Sequence, residues 1–210
     1  MKKTEQNRAR LLEGPVGPTL FRLAVPMVFG ILSMVAYNLA DTFFVGQLGS
    51  DQLAALSFTF PVVLTIASLA QGIGMGTSAV VSRAVGAAQY DRVRRLTADS
   101  LILGLTVVGV FAGVGLLTID PLFSLLGARG VILDYIREYM EVWYLGMIFV
   151  VVPMIGNNII RATGDSRTPG MVMVIGAAAN VILDPLLIFG LGPVPALGIR
   201  GAATATLIGR

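Results

Sequence analysis

The stretch of this chain from Gln52 to Ser82 holds 31 consecutive residues without a formal charge. Another, between Arg167 and Arg200, is 32 residues long and is broken once, by Asp184. Runs of 20 and 19 uncharged residues separate Asp99 from Asp120 and Glu141 from Arg161. A membrane-crossing helix needs roughly 18–20 apolar residues, and each of these runs reaches that length. The first apolar run, beyond Arg22, is too long for a signal-peptide core and lacks an A-x-A cleavage site, so it reads as a true helix. The fold class that follows is an all-α integral membrane protein.

Composition closes off other classes. Only 13% of the 210 residues are charged, where soluble domains carry about 25%. Mean hydropathy is +0.82. There is no cysteine, so disulfide, thiolate and zinc–thiolate chemistry are excluded. There is no histidine either, and proton chemistry near neutral pH falls to carboxylates. The net charge of +3 does not point to nucleic acid, because the basic residues sit in short loops between apolar runs.

The pattern predicts a polar, interfacial segment over 1–14 and helices over about 16–46, 53–82, 95–118, 131–160 and 168–190. The third is expected to stop at Asp120-Pro121, and Trp143 and Tyr144 to sit at the headgroup boundary. With the N-terminus inside, eleven Arg and Lys fall on inner segments and three (Arg129, Arg137, Arg200) on outer ones, which sets a cytoplasmic N-terminus in a cell membrane. A sixth helix begins at 201 and has about ten residues where a span needs roughly 20. The expectation is therefore a fragment: one transmembrane lobe over 1–210, with five complete helices and the start of a sixth.

Two acids stand inside this apolar sequence. Asp41 lies 19 residues beyond Arg22, and Asp184 lies 17 beyond Arg167, on helices that both run outward. At about 1.5 Å rise per residue the two carboxylates share one depth. A charge deep in a membrane costs roughly 2.5–3.5 kcal/mol on insertion scales, so two at one level suggest a shared polar pocket. Asn180 shares a helix face with Asp184, and Pro185 frees the carbonyl of Val181. Tyr37 and Asn38 precede Asp41 by one turn; Asn157, Asn158, Thr204 and Thr206 are further polar candidates. Such oxygen donors suit Na⁺ or a proton and not a soft metal. Blander readings stand beside these: Asp41 as a helix-end cap, Asn157 and Asn158 as a helix-end pair, the nine methionines as ordinary packing, and Pro26 as a fixed kink rather than a hinge.

The stretches PMVFGILSMVAYNLADTFFVGQLG, GMGTSAVVSRAVGA, IIRATGDSRTPG, NVILDPLLIFG and GIRGAATAT resemble the N-terminal lobe of multidrug and toxic compound extrusion (MATE) transporters of the prokaryotic DNA-damage-inducible branch. The resemblance covers essentially the whole chain. It implies a six-helix N-terminal lobe of a twelve-helix, two-lobe transporter, with the second lobe outside this chain. It also implies export of small-molecule drugs, cationic or amphipathic, through the membrane lipid barrier in exchange for Na⁺ or H⁺, with no other cofactor. Carried over by motif, Asp41, Asn180 and Asp184 form the cation or proton site, joined by Asn157 and by Thr206 in preference to Thr204. Na⁺ would be held at Asp41, Asn180, Asp184 and Thr206. Tyr37, Asn157 and Met173 belong to the substrate cavity, and Pro26 to a helix proposed to bend.

Two rival functions fit less well. A flippase for lipid-linked oligosaccharides or lipid precursors calls for a basic cavity, whereas the helix interiors here hold acids and almost no Arg or Lys. An intramembrane aspartyl protease uses two acids as a dyad, but the single Gly-Asp pair, Gly164-Asp165, lies in a basic loop, and the Pro-Ala-Leu at 195–197 lies in an outer turn.

Overall fold

The computed structural model describes residues 15–190 and 195–209. The expected interfacial segment at 1–14, part of the turn before the sixth span, and Arg210 lie outside the described residues. Seven helices are described: α1 (Val16–Leu48), α2 (Ser50–Gly86), α3 (Tyr90–Leu125), α4 (Val131–Gly146), α5 (Ile148–Ala162), α6 (Arg167–Phe189) and α7 (Ile199–Ile208). Four of them are long and apolar enough to cross a membrane, and α4 with α5 makes a fifth crossing if the bent pair is one span.

Hydrocarbon leaves every backbone and hydroxyl group to be satisfied inside the protein. The helices manage this locally. Ser33, Thr42, Ser57, Thr65, Thr77, Ser100 and Thr106 each donate a hydroxyl to the carbonyl four residues earlier, at 2.7–2.9 Å. Apolar side chains point outward as well as inward: Phe29, Leu32, Val35, Leu39 and Phe43 of α1 are all exposed. That is the surface of a chain whose surroundings are themselves apolar.

Two differences from the expected helices have physical causes. The fourth span is broken, not continuous: α4 ends at Gly146, α5 starts at Ile148, and the two are bent by 48°. Gly146 has no side chain, and Leu207 of α7 fills the place where one would sit. The third helix does not stop at Asp120-Pro121 but continues to Leu125. A proline withdraws a single N–H from the ladder, and Asp120 is gripped from outside by Arg137, whose Nη2 donates to Oδ1 and Oδ2 at 2.9 and 3.0 Å. Trp143 and Tyr144 do not face outward. Both are buried in the core, edge to face at 5.9 Å, and Tyr144 occupies the gap left by Gly115 of α3.

The chain order places the site. Gly49 alone links α1 to α2, at φ 144° and ψ 172°, a backbone that a side chain would not tolerate. At the same end lie the turn into α7 and the pairs of Arg200 with Glu138 and Glu141, at 3.9 and 3.7 Å. The opposite end carries the 163–166 turn, where Asp165 caps α6: its Oδ1 accepts from the Arg167 and Thr168 amides at 3.1 Å. The acid of the Gly-Asp pair thus serves as a helix cap. Across the bundle, α1 packs most extensively on α6, and α2 on α5.

Candidate functional site

Three helices bring the polar group together. Asp41 on α1 is 8% exposed, Asn180 and Asp184 on α6 are 1% and 0%, and Thr206 on α7 is 6%. The Asn180 and Asp184 side chains leave α6 one turn apart on one face. Neither side chain has a hydrogen-bond partner for any of its oxygen or nitrogen atoms, and the Thr206 hydroxyl has none either. Asp41 is near enough for its charge to act on Asp184. Close helix packing makes this possible. Gly209, which follows the end of α7, lies against Asn180, so that a Cβ on Gly209 would come to 2.7 Å from the asparagine's own. Toward the other end of α1, a Cβ on Gly170 would lie 2.7 Å from the Pro26 carbonyl oxygen, which fixes how near α1 approaches α6.

Buried polar atoms are normally paired, and each unpaired one costs about 1–3 kcal/mol. Five such atoms on Asn180, Asp184 and Thr206 gather near a second carboxylate, and the four that are oxygens give the group spare capacity for a hard cation or a proton. The structure also separates the two threonines. Thr204 donates its hydroxyl to the Arg200 carbonyl at 2.8 Å and lines a shallow groove with Phe149, while Thr206 stands in the cavity wall beside Asp41.

Two cavities adjoin the site. One, of about 480 Å³, is lined by Asp41, Thr42, Tyr37, Asn38, Trp143 and Thr206 among others. The second, of about 560 Å³, includes Gln71, Asn157, Arg161, Met75 and Met173. They share Met34, Tyr37, Ala67, Val150 and Met154. Tyr37 and Met173 therefore line cavities. Asn157 does so too, but in the second one, whose walls include none of Asp41, Asn180, Asp184 and Thr206. Its neighbour Asn158 is buried and spans from α5 to α2, donating to the Met154 carbonyl at 2.9 Å and to Gln71 Oε1 at 3.5 Å. Pro26 lies inside α1, which continues through it without a break.

Sequence reasoning missed Arg161. Counted as an inner-loop charge, it is part-buried and faces the second cavity. Its spacing of three and four residues from Asn158 and Asn157 was the available signal, since those positions share its helix face.

Comparison with known proteins gives a consistent picture. The family model MatE matches residues 26–186. A protein of Shewanella oneidensis named FAD transporter is 45% identical over 96% of this chain and 45% of its own length. The multidrug export protein MepA of Staphylococcus aureus is 31% identical over 93% of the chain and 43% of its own. A solved structure of a MOP superfamily transporter from Pyrococcus furiosus superposes with a TM-score of 0.87 at 37% identity, covering 96% of this chain and 44% of that one. The chain thus spans about half the length of the relatives it matches.

Proposed function

The chain belongs to the MatE family, and on that premise we propose that the protein exports cationic or amphipathic organic compounds in exchange for Na⁺ or H⁺ bound at Asp41, Asn180, Asp184 and Thr206. The observation that supports this reading is the set of unpaired, buried polar atoms on Asn180, Asp184 and Thr206 beside a cavity wall that carries Asp41. Two carboxylates in one dry site repel each other, and a cation or proton between them relieves that repulsion. The relief lets α1 and α6 close on each other. An organic compound in the adjoining cavities favours the more open arrangement, and exchange follows because the two ligands stabilise different states. In this reading the N-terminus is cytoplasmic, the membrane lipid surrounds the exposed faces, and a second lobe closes the cavities.

The test is efflux of a fluorescent organic cation by the full-length protein in vesicles, under a Na⁺ gradient and a pH gradient imposed separately. One gradient is expected to drive efflux, and Asp41→Asn or Asp184→Asn to reduce it at least about tenfold, the loss of one buried charge-assisted contact. Undiminished efflux in both variants would remove the site from the mechanism.

A second cargo reading has one observation in its favour. The Shewanella oneidensis relative is named FAD transporter, which points to a phosphate-bearing flavin as cargo.

A further inference from the structure

We propose that Arg161, with Gln71 and Asn157, forms an anion-recognising subsite in the second cavity, one that takes the phosphate of an amphipathic substrate whose apolar body lies against Tyr37 and the methionines. The proposal rests on the transport reading and specifies the cargo. A guanidinium has five N–H donors. Arg161 uses two of its nitrogens: Nε donates to the Asn157 carbonyl at 3.2 Å, and Nη2 to Asn158 Oδ1 at 3.3 Å. Among the described residues no carboxylate lies within ion-pair distance of it.

A part-buried cation without a counterion is expensive to hold, and an anion delivered by a ligand repays that cost. The two contacts that exist fix the plane of the guanidinium and leave its remaining N–H groups for the cavity. Gln71 Oε1 is engaged by Asn158, which orients the Gln71 amide and turns its NH₂ group to donor duty. Around these donors the wall is soft and apolar, with Met75, Met154 and Met173, and Tyr37 closes it toward the acidic cavity. The bundle therefore carries one guanidinium toward one end of its cavities and a carboxylate toward the other. A molecule with an anionic tip and a flat apolar body fits that order, with its anion kept away from Asp41.

Riboflavin and flavin mononucleotide differ by one phosphate, so they isolate the subsite. Binding of each to the purified full-length protein is measured by fluorescence quenching, with phosphatidylglycerol vesicles as a third probe. Flavin mononucleotide is expected to bind more tightly than riboflavin. Arg161→Gln should weaken flavin mononucleotide about 10- to 100-fold while leaving riboflavin within about twofold, and Arg161→Lys should fall between. Equal effects on both flavins would overturn the proposal. Displacement of flavin mononucleotide by phosphatidylglycerol, with no preference between the two flavins, would instead mark a lipid-headgroup site and overturn the cargo assignment. Phenylglyoxal labelling of wild-type Arg161 keeps the question decidable should the variants misfold. Flavin mononucleotide should slow it and riboflavin should not; equal rates count against the subsite. Loss of the Arg161 effect with gradient-driven cation efflux intact separates failure here from failure of the exchange mechanism.

Discussion

At the scale of single residues, the acids announced themselves because charge is rare and costly in apolar sequence. Asp41 and Asp184 needed no structure to be singled out, and Asn180 followed from helical spacing. Thr206 could not be separated from Thr204 in the same way, because both are small, polar and close to a glycine-rich turn. What distinguishes them is environment: one hydroxyl bonds to its own helix, and the other is buried with no bond. Thr206→Ala should therefore weaken the coupling cation about tenfold, comparable to one lost ligand hydrogen bond. It should not destabilise the fold, since it removes an unsatisfied polar atom. Thr204→Ala should change cation affinity less than about twofold. Measuring both by Na⁺- or proton-dependent protection against thermal unfolding decides the matter, and equal effects would exclude Thr206 as a ligand. Arg161 was hidden for the opposite reason. A basic residue at a helix end is the ordinary mark of membrane orientation, and that reading outweighed the one signal against it, the helical spacing from Asn157 and Asn158.

At the scale of helices, length and apolar runs located the crossings, while bends and overruns escaped. The break at Met147 lies where Leu207, 61 positions further along the sequence, packs against Gly146, a contact that no local pattern carries. The overrun of α3 past Pro121 is accompanied by the ion pair of Asp120 with Arg137, likewise on another helix. Close approach of α1 and α6 has the same non-local origin, and it yields a prediction. Gly170 meets backbone, the Pro26 carbonyl, and backbone does not swing aside as a flexible side chain does. Gly170→Val should force the helices apart, at a cost of about 1–3 kcal/mol. A lowered thermal midpoint in detergent and weaker cation protection are both expected, because the separation loosens the scaffold that holds Asp41 near Asp184. A variant with wild-type stability and cation protection would show that this contact does not set the helix spacing. Pro26 donates no N–H to its helix in any case, so Pro26→Ala offers a milder probe of the same junction.

At the scale of the whole molecule, the two cavities are joined through Tyr37, which sits one turn before Asp41 and lines both. In the exchange proposed above, any movement of α1 that adjusts Asp41 to a cation also moves the wall that a cargo would touch. This makes competition between cation and cargo a thermodynamic statement, and linkage then requires it to be reciprocal. If saturating Na⁺ or protons weaken flavin or drug binding by a given factor, saturating cargo must weaken the cation by that same factor. A factor of about 5–150 is the usual range for a coupling of 1–3 kcal/mol. Isothermal titration of the full-length protein, with each ligand in the presence and absence of the other, measures both factors. Tyr37→Ala should bring them toward one while leaving the cation's affinity in the absence of cargo nearly unchanged, because the tyrosine adjoins the ion site without supplying its unpaired oxygens. Factors that remain equal and large in that variant would place the coupling elsewhere, and the remaining route is the packing of α6 on α7, with Asn180 against Gly209 just past the end of α7, which joins Asp184 to Thr206 without passing through α1.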